Sequence, residues 1–271
     1  MKSGPVIFLD SGVGGLPYCD HFYKLAPRIS RVYIADRANF PYGPKSRFEL
    51  ENLLYALIGK VIDRWNPPVI VIACNTATIT AIDYLRSSFR DVTFVGTVPA
   101  VKPAVLSSRK NRIGVIATER TIQEPYIYDL AAHFKPETEI IGFPAPELVE
   151  FVEQDLYDTT REERLKRVGS YVDMFRTKDV DGIVLGCTHF LFLIDEFKAL
   201  AEPDLMIFHS VDGVSRRVLQ LLENRGELPM DGEGNLDVSG GGRLVVTGSG
   251  PISPSWKRFG EKHGLIVEGW E

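Results

Sequence analysis

The sequence predicts an α/β fold made of two similar parallel-sheet units that face each other across a cleft. Three observations predict it. Short β-branched apolar runs alternate along the chain with stretches of helical period, the alternation that gives α/β folds. The runs are near-continuously apolar, as in parallel strands covered on both faces. Two distant segments, Val69-Ile70-Val71-Ile72-Ala73-Cys74-Asn75-Thr76 and Asp181-Gly182-Ile183-Val184-Leu185-Gly186-Cys187-Thr188, share one order of residue types.

In chain order, Val6–Leu9 reads as the first strand, and Asp10-Ser11-Gly12-Val13-Gly14-Gly15 as the glycine-rich turn that ends it. Tyr18–Phe22, which contains Cys19, is helical, and Val32–Ile34 is the second strand. Leu50, Leu53, Leu54, Leu57, Ile58, Val61, Ile62 and Trp65 recur at helical spacing and mark a long amphipathic helix. Val69–Ile72 and Val92–Val95 are the third and fourth strands, and Pro99 and Pro103 mark a crossover. A second α/β unit runs from there to about His209, with strands at Ile113–Ile116, Ile183–Leu185 and Leu205–Phe208. Val214, Val218, Leu221 and Leu222 form one face of a further helix. After the Gly240-Gly241-Gly242 loop come a strand at Leu244–Val246 and a short helix near Trp256–Phe259.

Composition narrows the function classes. A length of 271 residues suits about two domains. The 44% hydrophobic and 25% charged content is that of a folded globular chain. A net charge of −5 gives no bulk attraction to nucleic acid or to an anionic membrane. There is no run of about 18 apolar residues to span a bilayer. The start, Met1-Lys2-Ser3-Gly4-Pro5, lacks the apolar core of a secretory signal, so a cytoplasmic location is expected. Three cysteines, Cys19, Cys74 and Cys187, do not read as a disulfide framework and leave room for reactive thiols.

The repeated segments carry the functional reading. Each is a buried strand, a small residue, a cysteine and then polar residues able to cap a helix. Phe8-Leu9-Asp10-Ser11 and Ile116-Ala117-Thr118-Glu119 form a weaker echo upstream, with 64 residues from Asp10 to Cys74 and 69 from Thr118 to Cys187. In open α/β sheets ligands bind beyond the carboxyl ends of the strands. A cysteine there, ahead of a helix N-terminus, is favoured as thiolate. A single free cysteine is more often a small buried hydrophobe; the repeated setting raises this pair above that expectation. Cys19 has no twin and is assigned to packing.

The loops at the strand ends supply further candidates. Asp10–Gly15 lacks the Gly-Lys-Ser/Thr of a phosphate loop, and Pro17 stands where a dinucleotide fingerprint needs its third glycine. Asp10 is placed to orient a neighbouring proton carrier. Pro41-Tyr42-Gly43 reads as a rigid loop with a phenol at its tip. Thr118 and Thr121 flank a helix start and are able to hold a carboxylate, or simply to cap. His189 stands two residues beyond Cys187 and suits proton transfer there.

With these residues in hand, the chain resembles the glutamate racemase family. The matching segments are Phe8–Leu16, Phe40-Pro41-Tyr42-Gly43, Ile72–Ala77, Ile113–Thr118 and Leu185-Gly186-Cys187-Thr188-His189, in order along most of residues 5–220. The resemblance implies a cofactor-independent isomerase that interconverts L- and D-glutamate for peptidoglycan synthesis and so serves cell-wall biogenesis and cell shape. It implies that Cys74 deprotonates D-glutamate with help from Asp10. Cys187 would deprotonate L-glutamate with help from His189 and a glutamate, best matched by Glu153, with Glu150 close by. Ser11, Tyr42, Gly43, Asn75, Thr76, Thr118, Thr121 and Thr188, with Asp10 and His189, would bind the substrate's amine and carboxylates. It also implies that the tail returns to the first unit, giving domains at 1–98 plus 210–271 and at 99–209. No metal or cofactor, no nucleic acid and no membrane partner is expected, and a homodimer is compatible with the sequence. Three departures from the family pattern stand out. Arg37 replaces a small polar residue, Arg120 replaces glycine, and Phe190-Leu191-Phe192 comes after His189 in place of an aromatic–proline pair.

The residue types suit the chemistry. Racemisation removes a weakly acidic α-proton from one face and returns a proton to the other. Two thiols on opposite faces do this without moving a base around the carbon. An ordinary thiol titrates near 8.5, so modest activation supplies thiolate at neutral pH. Donors on the carboxylate stabilise the carbanion-like charge. Three other readings compete: a racemase for aspartate or another acidic amino acid, a catalytically silent glutamate-binding protein, and a nucleotide-binding enzyme using the glycine loop.

Overall fold

The computed structural model describes residues 4–228 and 242–271. Gly240 and Gly241 of the expected glycine loop lie outside the described residues. The chain divides into two compact units, Met1–Thr97 with Val211–Glu271 and Val98–Ser210.

In the first unit the strands are β1 (Val6–Asp10), β2 (Arg31–Ala35), β3 (Val69–Ile72) and β4 (Thr93–Gly96). In the second they are β5 (Arg112–Ala117), β6 (Glu139–Pro144), β7 (Gly182–Leu185) and β8 (Met206–Phe208). The chain then returns to the first unit with β9 (Arg243–Thr247) and β10 (Ile266–Trp270). The two sheets are ordered β10-β9-β2-β1-β3-β4 and β6-β5-β7-β8. All ladders are parallel, so the α/β reading with parallel sheets holds.

Every central strand position in β1, β2, β3 and β7 is buried, as their unbroken apolar runs require. The two strands absent from the sequence reading, β6 and β10, are edge strands with half-exposed faces. Gly142 and the terminal Pro144 interrupt β6, and Glu268 and Gly269 interrupt β10. A mixed surface of that kind weakens the apolar signal.

The long helix Arg47–Trp65 shows how local rules set the frame. The Ser46 hydroxyl accepts from the Glu49 backbone N–H at 3.2 Å and caps its start. Asn66, in the left-handed region at φ 42°, ends it. Leu50, Leu54, Leu57, Ile58 and Val61 bury one stripe against the apolar side chains of β1, β2 and β3. Each such burial is worth about 1.5–3 kcal/mol before chain entropy is counted. In the second unit, Val101, Ala104, Val105, Ile127 and Ala131 cover Ile113, Val115 and Val184 in the same way.

Candidate active site

The two sheets repeat one arrangement. The order β2-β1-β3-β4 in the first unit matches β6-β5-β7-β8 in the second. Leu9 pairs with Ile72 and Ile116 pairs with Leu185. Just beyond, the Ala73 N–H donates to the Leu9 carbonyl and the Gly186 N–H to the Ile116 carbonyl, both at 2.7 Å. The next residue in each case is a cysteine in extended backbone, Cys74 at φ −129° and ψ 121°, Cys187 at φ −126° and ψ 137°. Each is therefore held at the carboxyl end of the third strand of its unit. Neither forms a disulfide, and they are only 7% and 6% exposed, while Cys19 is fully buried.

The repeat corrects the upstream echo by one residue. Asp36 N–H donates to the Asp10 carbonyl, and Ala145 N–H donates to the Ala117 carbonyl. Asp10 thus corresponds to Ala117, and Ser11 to Thr118. A second correction concerns the segments just after the thiols. Cys74 caps an α-helix, Asn75–Ser88, but Cys187 opens into a 3-10 helix, Thr188–Leu193, ahead of the α-helix Ile194–Ala201. The tighter turn keeps Thr188, His189, Phe190 and Leu191 all buried.

In the first unit Asp10 is fully buried at the end of β1. Its Oδ1 accepts from the Ser11 backbone N–H at 2.6 Å and the Ser11 hydroxyl at 3.3 Å. Asn75 and Thr76, in the first turn after Cys74, are buried as well. The phenol of Tyr42 is not at a loop tip, contrary to the expectation from sequence. It is 1% exposed, and its hydroxyl donates to Asp36 Oδ2 at 2.7 Å. Burial first, then the Asp36 carboxylate, with the charges on Cys74 and Asp10, hold its pKa well above the usual phenol range. Tyr42 is therefore a permanent donor. Gly43, beside it, has open space on its Cβ side.

In the second unit, Cys187 and His189 lie on one short turn, with Sγ 3.7 Å from the imidazole Nδ1. The other ring nitrogen, Nε2, is 2.7 Å from Glu153 Oε1. Glu153 comes from the helix Pro146–Gln154, which places Glu150 on its exposed side. Glu153, and not Glu150, is thus the carboxylate behind the histidine. Burial by itself draws the His189 pKa down, but its bonds to Cys187 and Glu153 overcome that and hold it well above the ordinary value. Thiol, imidazole and carboxylate form a continuous hydrogen-bonded chain within this unit. Gly186 is required for it, because a Cβ there would sit 2.9 Å from the Ala117 Cβ and 3.1 Å from the Ile116 carbonyl.

Thr118 caps the helix Glu119–Gln123 by accepting from the Thr121 N–H, and the two hydroxyls lie 3.0 Å apart. The departures also find places. Arg120 Nε lies 4.0 Å from Glu124 Oε1. Arg37 donates to carbonyls of Thr247, Gly248, Ser249 and Pro251. Phe190 and Leu191 pack in the core.

Sequence reading missed Asp36 as a site residue. It is 1% exposed and accepts from Tyr42, Asn39 and Thr247. Its signal was available, since it stands just beyond a strand much as the singled-out Asp10 ends one. Thr247 carries no local signal, because its neighbourhood depends on β9 pairing with β2 across the whole chain. A cavity of about 390 Å³, lined by Asp36, Asn39, Leu57, Lys60, Thr247 and Trp270 among others, lies beside this cluster and includes neither thiol. Among the described residues no group of His, Cys, Asp and Glu is arranged to hold a metal. No helix among them is long and apolar enough to cross a membrane.

Comparison with known proteins agrees with the repeated architecture. The family model described as Asp/Glu/Hydantoin racemase matches residues 22–212. A glutamate racemase of Sphingopyxis alaskensis is 37% identical over 223 residues, 82% of this chain and 83% of that protein. A glutamate racemase of Treponema pallidum is 37% identical over 82% of both chains. Among solved structures, the Escherichia coli glutamate racemase in complex with L-glutamate and the activator UDP-MurNAc-Ala superposes with a TM-score of 0.84. Its identity is 29%, over 98% of this chain and 97% of that one. A Bacillus anthracis glutamate racemase gives a TM-score of 0.82 at 25% identity, over 100% and 98%. The chain belongs to the Asp/Glu/Hydantoin racemase family and is an amino-acid racemase, an isomerase.

Proposed function

We infer that the protein interconverts L- and D-glutamate by proton transfer between two thiols, Cys74 and Cys187. The observation that carries this reading is the twice-built thiol. The same strand register and the same hydrogen bond precede a buried cysteine in each unit. Packing alone does not require the coincidence. Glutamate is favoured over other acidic amino acids by the relatives' names and by the L-glutamate bound in the Escherichia coli structure.

In this reading one cysteine starts as thiolate and takes the α-proton, and the other, as thiol, gives a proton to the opposite face. Cys74 removes the proton of D-glutamate with Asp10 as its assistant. Cys187 removes that of L-glutamate and passes the proton toward His189, whose imidazolium Glu153 stabilises. Ser11, Tyr42, Gly43, Asn75, Thr76, Thr118, Thr121 and Thr188 hold the amine and the two carboxylates. Donors on the α-carboxylate lower the cost of the carbanion-like charge. The product D-glutamate supplies peptidoglycan synthesis in the cytoplasm, whose reducing conditions keep both thiols from oxidation.

The test is optical. Purified protein given either enantiomer, with no added cofactor, drives the rotation to zero. A stable rotation, with glutamate raising the melting temperature, would instead identify a silent binding protein. Faster turnover of aspartate would reassign the substrate.

A further inference from the structure

We propose that Arg37, Thr247 and Asp36 form a positioning relay by which the C-terminal strand β9 holds the Tyr42–Gly43 loop ready for substrate. The proposal rests on the reading that this loop contacts glutamate.

The relay begins with Arg37. Its guanidinium donates to four carbonyls of one short segment: Thr247 at 3.2 Å, Gly248 at 3.2 Å, Ser249 at 3.1 Å and Pro251 at 3.4 Å. Few side chains other than arginine offer that many donors in a fixed plane. The segment is bent in a way that demands glycine, with Gly248 at φ 98° and Gly250 at φ 95°. A Cβ on Gly248 would also meet the Ala38 Cβ at 3.3 Å. The segment therefore lies tightly against the 3-10 turn Arg37–Asn39 that comes after β2.

So held, Thr247 makes two bonds. Its hydroxyl accepts from the Ala38 N–H at 3.2 Å and donates to Asp36 Oδ1 at 2.7 Å. The other carboxylate oxygen of Asp36 accepts from the Tyr42 hydroxyl at 2.7 Å, and the Asn39 amide lies 3.1 and 3.0 Å from the two oxygens. Asp36 and Thr247 are 1% and 6% exposed. A buried carboxylate takes strong bonds from every donor in reach, so fixing Thr247 fixes Asp36, and fixing Asp36 fixes the phenol. The loop after β2 is tied to β1 through the Asp36 N–H, which donates to the Asp10 carbonyl. Its side-chain support comes from β9, more than 200 residues on.

Asp36, Thr247 and Arg37 act through Tyr42 and not on a thiol, and so are positioning residues.

The experiment compares the wild type with Thr247→Val, Thr247→Ser and Arg37→Ala. Tyrosine labelled with ¹³C at the ring carbon bearing the hydroxyl reports the Tyr42 environment, and initial rates with L- and D-glutamate report its consequence. Thr247→Val keeps the shape and removes the hydroxyl. It should shift and broaden the Tyr42 resonance and raise KM about tenfold, or about 1.4 kcal/mol, in both directions, with a smaller change in kcat. Thr247→Ser should restore both readouts, which a merely structural loss would not do. Arg37→Ala should give an intermediate effect of the same kind. An unchanged Tyr42 resonance in Thr247→Val overturns the relay. A shifted resonance with unchanged KM overturns its role in substrate positioning. If the wild type fails to racemise glutamate, the functional reading falls and the resonance alone decides whether the relay exists.

Discussion

Replacing Glu153 by glutamine tests the proton chain at its inner end. The substitution keeps the shape and a hydrogen bond to His189 Nε2 but removes the negative charge now 2.7 Å away. The side chains of His189 and Glu153 are 5% and 10% exposed, so water screens the pair little. A hydrogen bond to a charged partner is worth about 1.5–3 kcal/mol, and this is the stabilisation the imidazolium stands to lose. If His189 carries positive charge when Cys187 has given up or is about to receive a proton, turnover falls by about 10- to 150-fold. The enantiomers have equal free energy in water, so kcat/KM must fall equally in both directions. The side of the lesion shows in isotope effects. The primary effect with α-deuterated L-glutamate should rise, and that with D-glutamate should change less. Stability gives an independent readout. A histidine whose folded pKa is raised above 6.5 adds stability that is fully present below that pH and is lost as pH climbs through the raised value. The melting-temperature gap between wild type and Glu153→Gln should therefore be widest below about pH 6.5 and narrow on the alkaline side. An unchanged His189 titration in the variant, tracked by the imidazole carbon resonances, would refute the reasoning, whatever the rates did.

Cys74→Ser and Cys187→Ser should each cut racemisation by at least about 10²–10⁴-fold while leaving the far-ultraviolet circular dichroism intact. Cys19→Ser should leave turnover nearly unchanged, because Cys19 is fully buried in the helix Leu16–Leu25 and burial pushes its thiol up to about 12. Asp10→Asn should alter the isotope effect chiefly with D-glutamate, and His189→Asn chiefly with L-glutamate; equal changes in all four measurements count against the assignment of assistants. Gly186→Ala should cost about 1–3 kcal/mol by overpacking against Ala117 and Ile116. It should also lower activity by displacing Cys187, and a variant as stable and active as the wild type would show that the backbone there yields.

How far the sequence could be read depended on how local each feature is. The central strands were legible because burial on both faces leaves an unbroken apolar run, as in Val69–Ile72 and Ile183–Leu185. The edges β6 and β10 were not, because half of each faces solvent and tolerates any residue type. Cys74, Cys187, Asp10 and His189 stood out because their setting is written in adjacent residues. Choosing Glu153 over Glu150 needed the tertiary placement of His189, because residues three apart are neighbours on one helix face. Tyr42 was legible as a candidate but not in its setting, because its partner Asp36 is fixed by Thr247, a neighbour that only the pairing of β2 with β9 supplies.

The proposed mechanism gives the two thiols different assistants, and the repeat accounts for that difference. Duplicated strands deliver the same backbone frame twice, down to the hydrogen bond that precedes each cysteine. They do not deliver the same carboxylate twice, because the residue matching Asp10 is not acidic. It is Ala117 instead. In the second unit the polar groups lie off the strand, with His189 on the turn after the thiol and Glu153 on a separate helix. A buried carboxylate takes up a proton and becomes neutral, whereas an imidazole takes one up and becomes charged, and it needs a counter-ion such as Glu153 to remain buried. The fold supplies one backbone frame twice, and the side chains beyond each cysteine depart from it.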